Sequence, residues 1–312
     1  DFAYAAPLLE QALSIVKRTL GERHEHYARS LNNLGMVYYE LAEYAKAEPL
    51  FKQAMMLQKV HQGEQSADYA TTLNNLGLLY FQRADYSQAE LYYQRSLQIV
   101  KALAGPRHLD YAQCLGNLAV LYERTGDYPR AVQLLRESLE IKKTTVGESH
   151  PDYAISLDNL AATYASMGEY ALAEPLYQQA LQIRRETLGP NHPDCAGTLN
   201  NLAGLYGAMA DNERAEPLHR EALRIVRETL GEKHPEYATH LNNLAGFYRD
   251  VGDYANAEPL YRQALEIRKQ TLGDKHPHYA GSLNNLASLY EATGDTAQAE
   301  PLLLQALAVR KE

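Results

Sequence analysis

Residues 232–273 read EKHPEYATHLNNLAGFYRDVGDYANAEPLYRQALEIRKQTLG, and the order of signals inside this stretch decides the fold. Pro235 followed by Glu236 marks a helix start, because proline suits the first helical position and an acid there complements the helix dipole. From that start Tyr237, Leu241, Leu244, Ala245 and Tyr248 fall on one stripe, so the spacing predicts a one-sided amphipathic helix A. Gly252 and Asp253 break it and cap the next segment. Helix B is predicted over 254–271, with Tyr254, Ala257, Leu260, Tyr261, Ala264, Leu265 and Ile267 forming a stripe wide enough for more than one neighbour. Gly273 ends it, supplying a left-handed terminal residue. Pro259 sits inside helix B, where it removes a backbone hydrogen bond, and a slight bend or an irregular first turn is expected there.

The same reading applies along the whole chain. Leu31, Leu73, Leu115, Leu157, Leu199, Leu241 and Leu283 recur every 42 residues without an insertion, as do Gly21 to Gly273 and Tyr38 to Tyr290 at the same step. Residues 1–21 form helix B of a truncated unit, six units of 42 fill 22–273, and a shortened unit occupies 274–312. Fixed self-similarity at this period is the mark of a solenoid, in which no unit buries its apolar face alone. We expect one all-α domain, a right-handed superhelix of antiparallel helix pairs with no internal linker. Alanines at 47, 54, 173, 180, 257 and 264 would let neighbouring helices approach, with Leu and Tyr filling the gaps. The chain starts and stops inside a unit and has no initiator Met, which points to a piece of something larger.

Composition narrows the function. A formal charge of −9, from 30 basic and 39 acidic residues, offers no chain-wide attraction for phosphate backbones, so a solenoid reading nucleic acid base by base is disfavoured. No uncharged apolar stretch approaches the roughly 18 residues of a membrane span, and the first residues lack the basic start of a secretory signal. Cys114 and Cys195 are expected to be reduced thiols in a cytosolic compartment. His24, His108, His150, His192, His234 and His276 come one per unit at the loop entering helix A. They are spaced too widely to converge on a metal, and a loop hydrogen bond beside the helix start is the expected role. Phosphate-loop, HExxH, CxxC and nucleophile motifs are absent, so neither catalysis nor a cofactor is expected. Tyr27, Tyr38, Tyr44 and their equivalents are read as packing residues. Arg184, Arg185, Arg262, Arg268 and Lys269 are read as a solvated outer face.

A helix–turn–helix unit carrying Leu34, Gly35, Tyr38 and later Ala47 resembles the tetratricopeptide repeat. The 42-residue length, with HPEYA, LNNLA, AEPLYRQALEI and TLG in order, is similar to the kinesin light chain version of that repeat. On helix A, Asn33 points away from the core stripe. Its equivalents are Asn75, Asn117, Asn159, Asn201, Asn243 and Asn285, and the preceding position is Asn in five units and Gly116 or Asp158 in the others. Asn costs up to about 0.7 kcal/mol in a helix interior relative to Ala, so a compensating partner is expected at each site. The resemblance implies that these amides line a concave groove and bond the backbone of a bound peptide or helical segment. The alternative is that each Asn bonds a neighbouring helix and orders the stack.

Met36, Tyr39, Leu78, Phe81 and Val120 make the early groove apolar, with Arg124 beside them. The later groove, lined by Ala162, Ser166, Gly204, Gly207, Ala208, Gly246, Ser288 and Ala292, is roomy. At the position where kinesin light chains carry a Lys for acidic cargo, this chain has Arg29, Thr71, Gln113, Ile155, Gly197, Thr239 and Gly281. Groove charges are read as Arg29, Arg124 and Arg249 against Glu40, Glu123, Asp158, Asp250 and Glu291, which disfavours a strongly acidic cargo. The expected function is a non-catalytic scaffold for a protein or peptide partner. The alternative is a regulatory or sensor segment of a larger signalling or effector protein whose groove is filled from within. An enzyme domain outside this segment and self-association through the end helices stay open.

Overall fold

A computed structural model describes residues 2–311, and every element among them is helical. The chain divides into two compact units, 1–148 and 149–312. The first holds α1 (Phe2–Leu20), α2 (Glu25–Glu40), α3 (Tyr44–Gln62), α4 (Ala67–Gln82), α5 (Tyr86–Ala104), α6 (Leu109–Arg124) and α7 (Tyr128–Thr145). The second holds α8 (Pro151–Ser166), α9 (Tyr170–Leu188), α10 (Pro193–Ala208), α11 (Asn212–Leu230), α12 (Pro235–Asp250), α13 (Tyr254–Leu272), α14 (Pro277–Thr293) and α15 (Thr296–Lys311). Even-numbered helices are the A helices and odd-numbered ones the B helices. Each A helix forms a hairpin with the B helix after it, and within each unit that B helix packs on the next A helix.

Helix starts follow the sequence signals closely. At α2, α6, α8, α10, α12 and α14 the N-cap is the recurring histidine, whose Nδ1 accepts from the backbone N–H two residues on at 3.1–3.2 Å. That is the loop role expected of it, and Ser66 replaces it at α4. Gly273, at φ 88° and ψ 165°, ends α13 in a backbone region only glycine enters freely, though an extended one rather than the left-handed helical one expected. α13 runs unbroken through Pro259. Both Pro259 and Ala255, whose carbonyl loses its partner, are exposed, so the missing N–H falls on the solvent side of the helix.

The turn between helices A and B needs a residue with positive φ. Gly126, Gly168, Gly252 and Gly294 supply it in four units, but Ala42, Ala84 and Ala210 adopt φ 58° in the others. A left-handed alanine costs about 1–2 kcal/mol, partly offset by glycine's larger unfolded-state entropy. Ala84→Gly is therefore expected to stabilise the chain by about 0.5–1 kcal/mol, read as a raised urea midpoint with an unchanged slope. A lowered midpoint would contradict the strain.

Packing is as the periodicity implies. Ala47, Ala54, Ala89, Ala131, Ala173, Ala180, Ala215, Ala222, Ala257 and Ala264 are fully enclosed between helices. Where serine replaces the alanine, Ser96 and Ser138 donate to the Ala70 and Ala112 carbonyls at 2.8 Å, which satisfies the buried hydroxyl. The recurring helix A tyrosine does more than pack. Tyr80, Tyr122, Tyr206, Tyr248 and Tyr290 donate at 2.7–2.8 Å to Glu48, Glu90, Glu174, Glu216 and Glu258 on the preceding helix B. Every one of those glutamates precedes Pro49, Pro175, Pro217, Pro259 or, at Glu90, Leu91.

Candidate functional site

The repeated asparagines split into two roles. In the first unit Asn75 Nδ2 donates to Asn32 Oδ1 at 3.0 Å, and Asn117 Nδ2 donates to Asn74 Oδ1 at 2.7 Å. Thr72 adds a second donor to Asn32 at 3.1 Å. Asn75 is buried, and Asn117 is half-buried. Successive A helices are thus tied through pairs of amides, the arrangement in which the asparagines order the stack.

In the second unit the inner position takes over that task. Asn242 Nδ2 donates to Ser282 at 3.1 Å, Asn200 lies against His240, and Thr198 donates to Asp158 at 3.0 Å. Asn201 and Asn243 are left exposed, and among the described residues no hydrogen bond holds either side chain. Asn33 in the first unit is likewise exposed, while Asn159 and Asn285 are half-buried.

The early apolar positions lie where the sequence placed them on the A helices. Met36, Tyr39, Leu78 and Phe81 are half-buried, and Val120 and Arg124 are exposed. Tyr39 packs its ring 5.8 Å from Tyr44 and accepts from Gln82 at 3.2 Å, and Phe81 lies 5.9 Å from Tyr86. In the second unit the corresponding side chains shrink to Ala162, Ala165, Gly204, Gly207 and Gly246, and a cavity of about 810 Å³ opens there. Asn201, Asn243 and Asn285 line it, with Tyr177, His219, Phe247 and Tyr261. Arg249 and Asp250 are its charged residues, paired at 2.7 Å, and Arg249 also donates to Ser288 at 2.8 Å.

Three sequence readings need correction. Asp158 does not face a groove: it and Arg184 are each about 7% exposed and ion-paired with one another. Arg184 also donates to Thr198 and to the Asp194 carbonyl, the latter at 3.2 Å. Burial pushes the Asp158 carboxyl up, and Arg184 and Thr198 pull it only part of the way back. Arg184 and Arg268 are also not on a solvated face. Arg268 donates to Ser282, to Thr239 and to the His278 carbonyl at 3.0–3.1 Å, and burial lowers its pKa, the Glu236 carboxylate offsetting only part of that. Their register on helix B turns them toward the next helix A, whereas Arg185 and Arg262 one face away form exposed pairs with Glu221 and Glu258.

The sequence reading passed over two further groups. His219 and His240 are each about 5% exposed and are joined through Asn200. Burial pushes both imidazoles down to about 4. The available signal was a departure from the period: His219 stands where other units have Phe51, Tyr93, Leu135, Tyr177, Tyr261 or Leu303, and His240 where they have a small Ser, Thr or Cys. Cys114 and Cys195 are buried free thiols. No helix among the described residues is long and apolar enough to cross a membrane, and no group of three His, Cys, Asp or Glu is placed to hold a metal.

The tetratricopeptide repeat family model matches residues 1–59, 68–144, 152–228, 194–246 and 236–312. The chain belongs to the tetratricopeptide repeat family. Among solved structures it is similar to a putative kinesin light chain of Podosopora anserina with nearly identical TPR-like repeats. The two share 30% identity over 65% of this chain and 96% of the other, with a TM-score of 0.52. BtubC (BKLC) of P. vanneervenii is 26% identical over 72% of this chain and 91% of that one, at a TM-score of 0.57. The Rap conjugation gene regulator of plasmid pLS20, solved in complex with the Phr* peptide, is 16% identical and shares the fold, at a TM-score of 0.63 over 92% of this chain and 73% of its own. No curated protein sequence matches this tetratricopeptide repeat chain. The kinesin light chain likeness agrees with the 42-residue unit.

Proposed function

We propose that the chain is a non-catalytic scaffold that holds a segment of another protein along its A helices, with the second unit as the main seat. The observation that carries this reading is the 810 Å³ cavity lined by Asn201, Asn243 and Asn285 from three successive A helices. Free amides at a regular spacing suit the alternating donors and acceptors of a peptide backbone, whatever its side chains. A preformed surface keeps the ordering cost of binding low. The Rap regulator, alike in fold, is a precedent for a peptide complex. In the first unit Asn33 and the apolar residues Met36, Tyr39, Leu78, Phe81 and Val120, with Arg124, would offer a contact of their own, while Asn75 and Asn117 contribute more to order than to grip.

The two roles separate experimentally. Asn201→Ala with Asn243→Ala is expected to weaken partner binding about tenfold or more, each lost hydrogen bond being worth about 0.5–1.5 kcal/mol, with no fall in thermal stability. Asn75→Ala with Asn117→Ala is expected to lower stability by about 1–3 kcal/mol, because Asn74 loses its donor and Asn32 one of its two. Calorimetric melting and binding titration of both variants check this. Unchanged affinity in the first variant rules out the amide grip.

A further inference from the structure

The second-unit cavity has one feature that neither its small residues nor its asparagines explain. His219 is enclosed among helices yet lines the cavity. Its Nδ1 lies 2.9 Å from Asn200 Oδ1, and an amide oxygen only accepts, so Nδ1 carries the proton. Nε2 is therefore a bare acceptor, and among the described residues nothing donates to it. With Asn200 Oδ1 turned to His219, its Nδ2 faces His240 Nδ1, so one amide bridges the two rings with its acceptor on one side and its donor on the other. Burial keeps His219 neutral at pH 7, so the acceptor persists under ordinary conditions.

Around this acceptor the walls are aromatic: Tyr177, Phe247 and Tyr261, with Phe247 5.7 Å from the His219 ring. The open volume lies above Gly204 and Gly207, where an added Cβ meets nothing within 4 Å. Arg249 and Asp250 neutralise one another, so a charged side chain entering here would lose its water and find no free counter-charge. A planar, uncharged side chain with a single terminal donor answers all of these conditions. Resting on the reading that this groove holds a partner segment, we infer that the cavity receives a tyrosine of that segment, its phenol donating to His219 Nε2 between Tyr177, Phe247 and Tyr261. A site with a buried acceptor discriminates against the analogue lacking the donor, because phenylalanine would leave Nε2 unpaired.

The test uses the full chain and immobilised eleven-residue peptides with degenerate uncharged flanks and a central tyrosine, phenylalanine, O-methyltyrosine or phosphotyrosine. The expected result is retention of the tyrosine set about tenfold above the other three. That preference disappears in His219→Leu, which restores the residue of the equivalent positions 135 and 303, and returns in His219→Gln, whose amide oxygen accepts. Circular dichroism confirms that each variant is folded. Equal retention of tyrosine and phenylalanine, or a preference that survives His219→Leu, overturns the inference while leaving the groove reading intact. Failure to retain any peptide, or retention unaffected by filling the cavity through Gly204→Leu, overturns the groove reading and the inference with it.

Discussion

Asp158→Ala is expected to destabilise the second unit by about 3–5 kcal/mol, the range for removing one member of a buried ion pair. The substitution leaves Arg184 enclosed with a threonine hydroxyl and the Asp194 carbonyl as its hydrogen-bond partners. The pair itself is a poor source of stability. Asp158 Oδ1 and Arg184 Nε are both buried without a hydrogen-bond partner, so desolvation is only partly recovered. Two other units hold the same two positions as Asn74 with Val100 and Asn200 with Val226. Asp158→Asn combined with Arg184→Val is accordingly expected to stand within about 1 kcal/mol of the parent chain, or above it. Urea unfolding of the single and double variants decides the point. A loss below about 1 kcal/mol in Asp158→Ala would mean that the pair is solvated rather than buried.

Acid is expected to weaken the chain through the same stretch of helices. His219 and His240 titrate near 4 in the folded chain, against an ordinary 6.5 once unfolded. Above pH 6.5 both states hold neutral imidazoles and stability is unaffected. As the pH falls from 6.5 toward 4 the unfolded chain binds protons that the folded chain refuses, so stability drops through that window, by about 2–3 kcal/mol per ring. His240 feels His219 beside it, and Asn200 cannot solvate two charged rings. His276, also pushed to about 4, and His278, lowered as well, add to the effect near α14. His219→Tyr with His240→Thr installs the residues of equivalent positions and is expected to flatten much of the slope between pH 6.5 and 4, leaving the part due to His276 and His278. An unchanged slope of midpoint against pH would show that the two rings are hydrated.

Helix boundaries were legible because each is set by a local signal that repeats: Pro235 opens α12 and Asp253 caps α13 within one unit of 42. The room in the second unit was legible too, since Gly204, Gly207 and Gly246 remove volume wherever their neighbours sit. What the sequence hid was the division among the asparagines. Asn75 and Asn243 stand at the same step of the period, yet one meets an amide on the preceding A helix and the other meets solvent. That outcome depends on the residue 40 or 43 positions away across the stack, as Thr72, His240 and Ser282 show. Arg184 was misread for the same reason: charge suggests solvent, but its register faces Asp158 and Thr198. Departures from the period, Asp158 against the usual Asn and His219 paired with His240, are the trace such contacts leave in sequence.

Photo-crosslinking tests the central claim most directly. A benzophenone side chain placed at Ala208, on the cavity wall, is expected to capture the bound tyrosine peptide, whereas the same group at Arg262 on the exposed surface of helix B captures none. Adducts from position 262 with none from 208 would contradict a seat on the A helices.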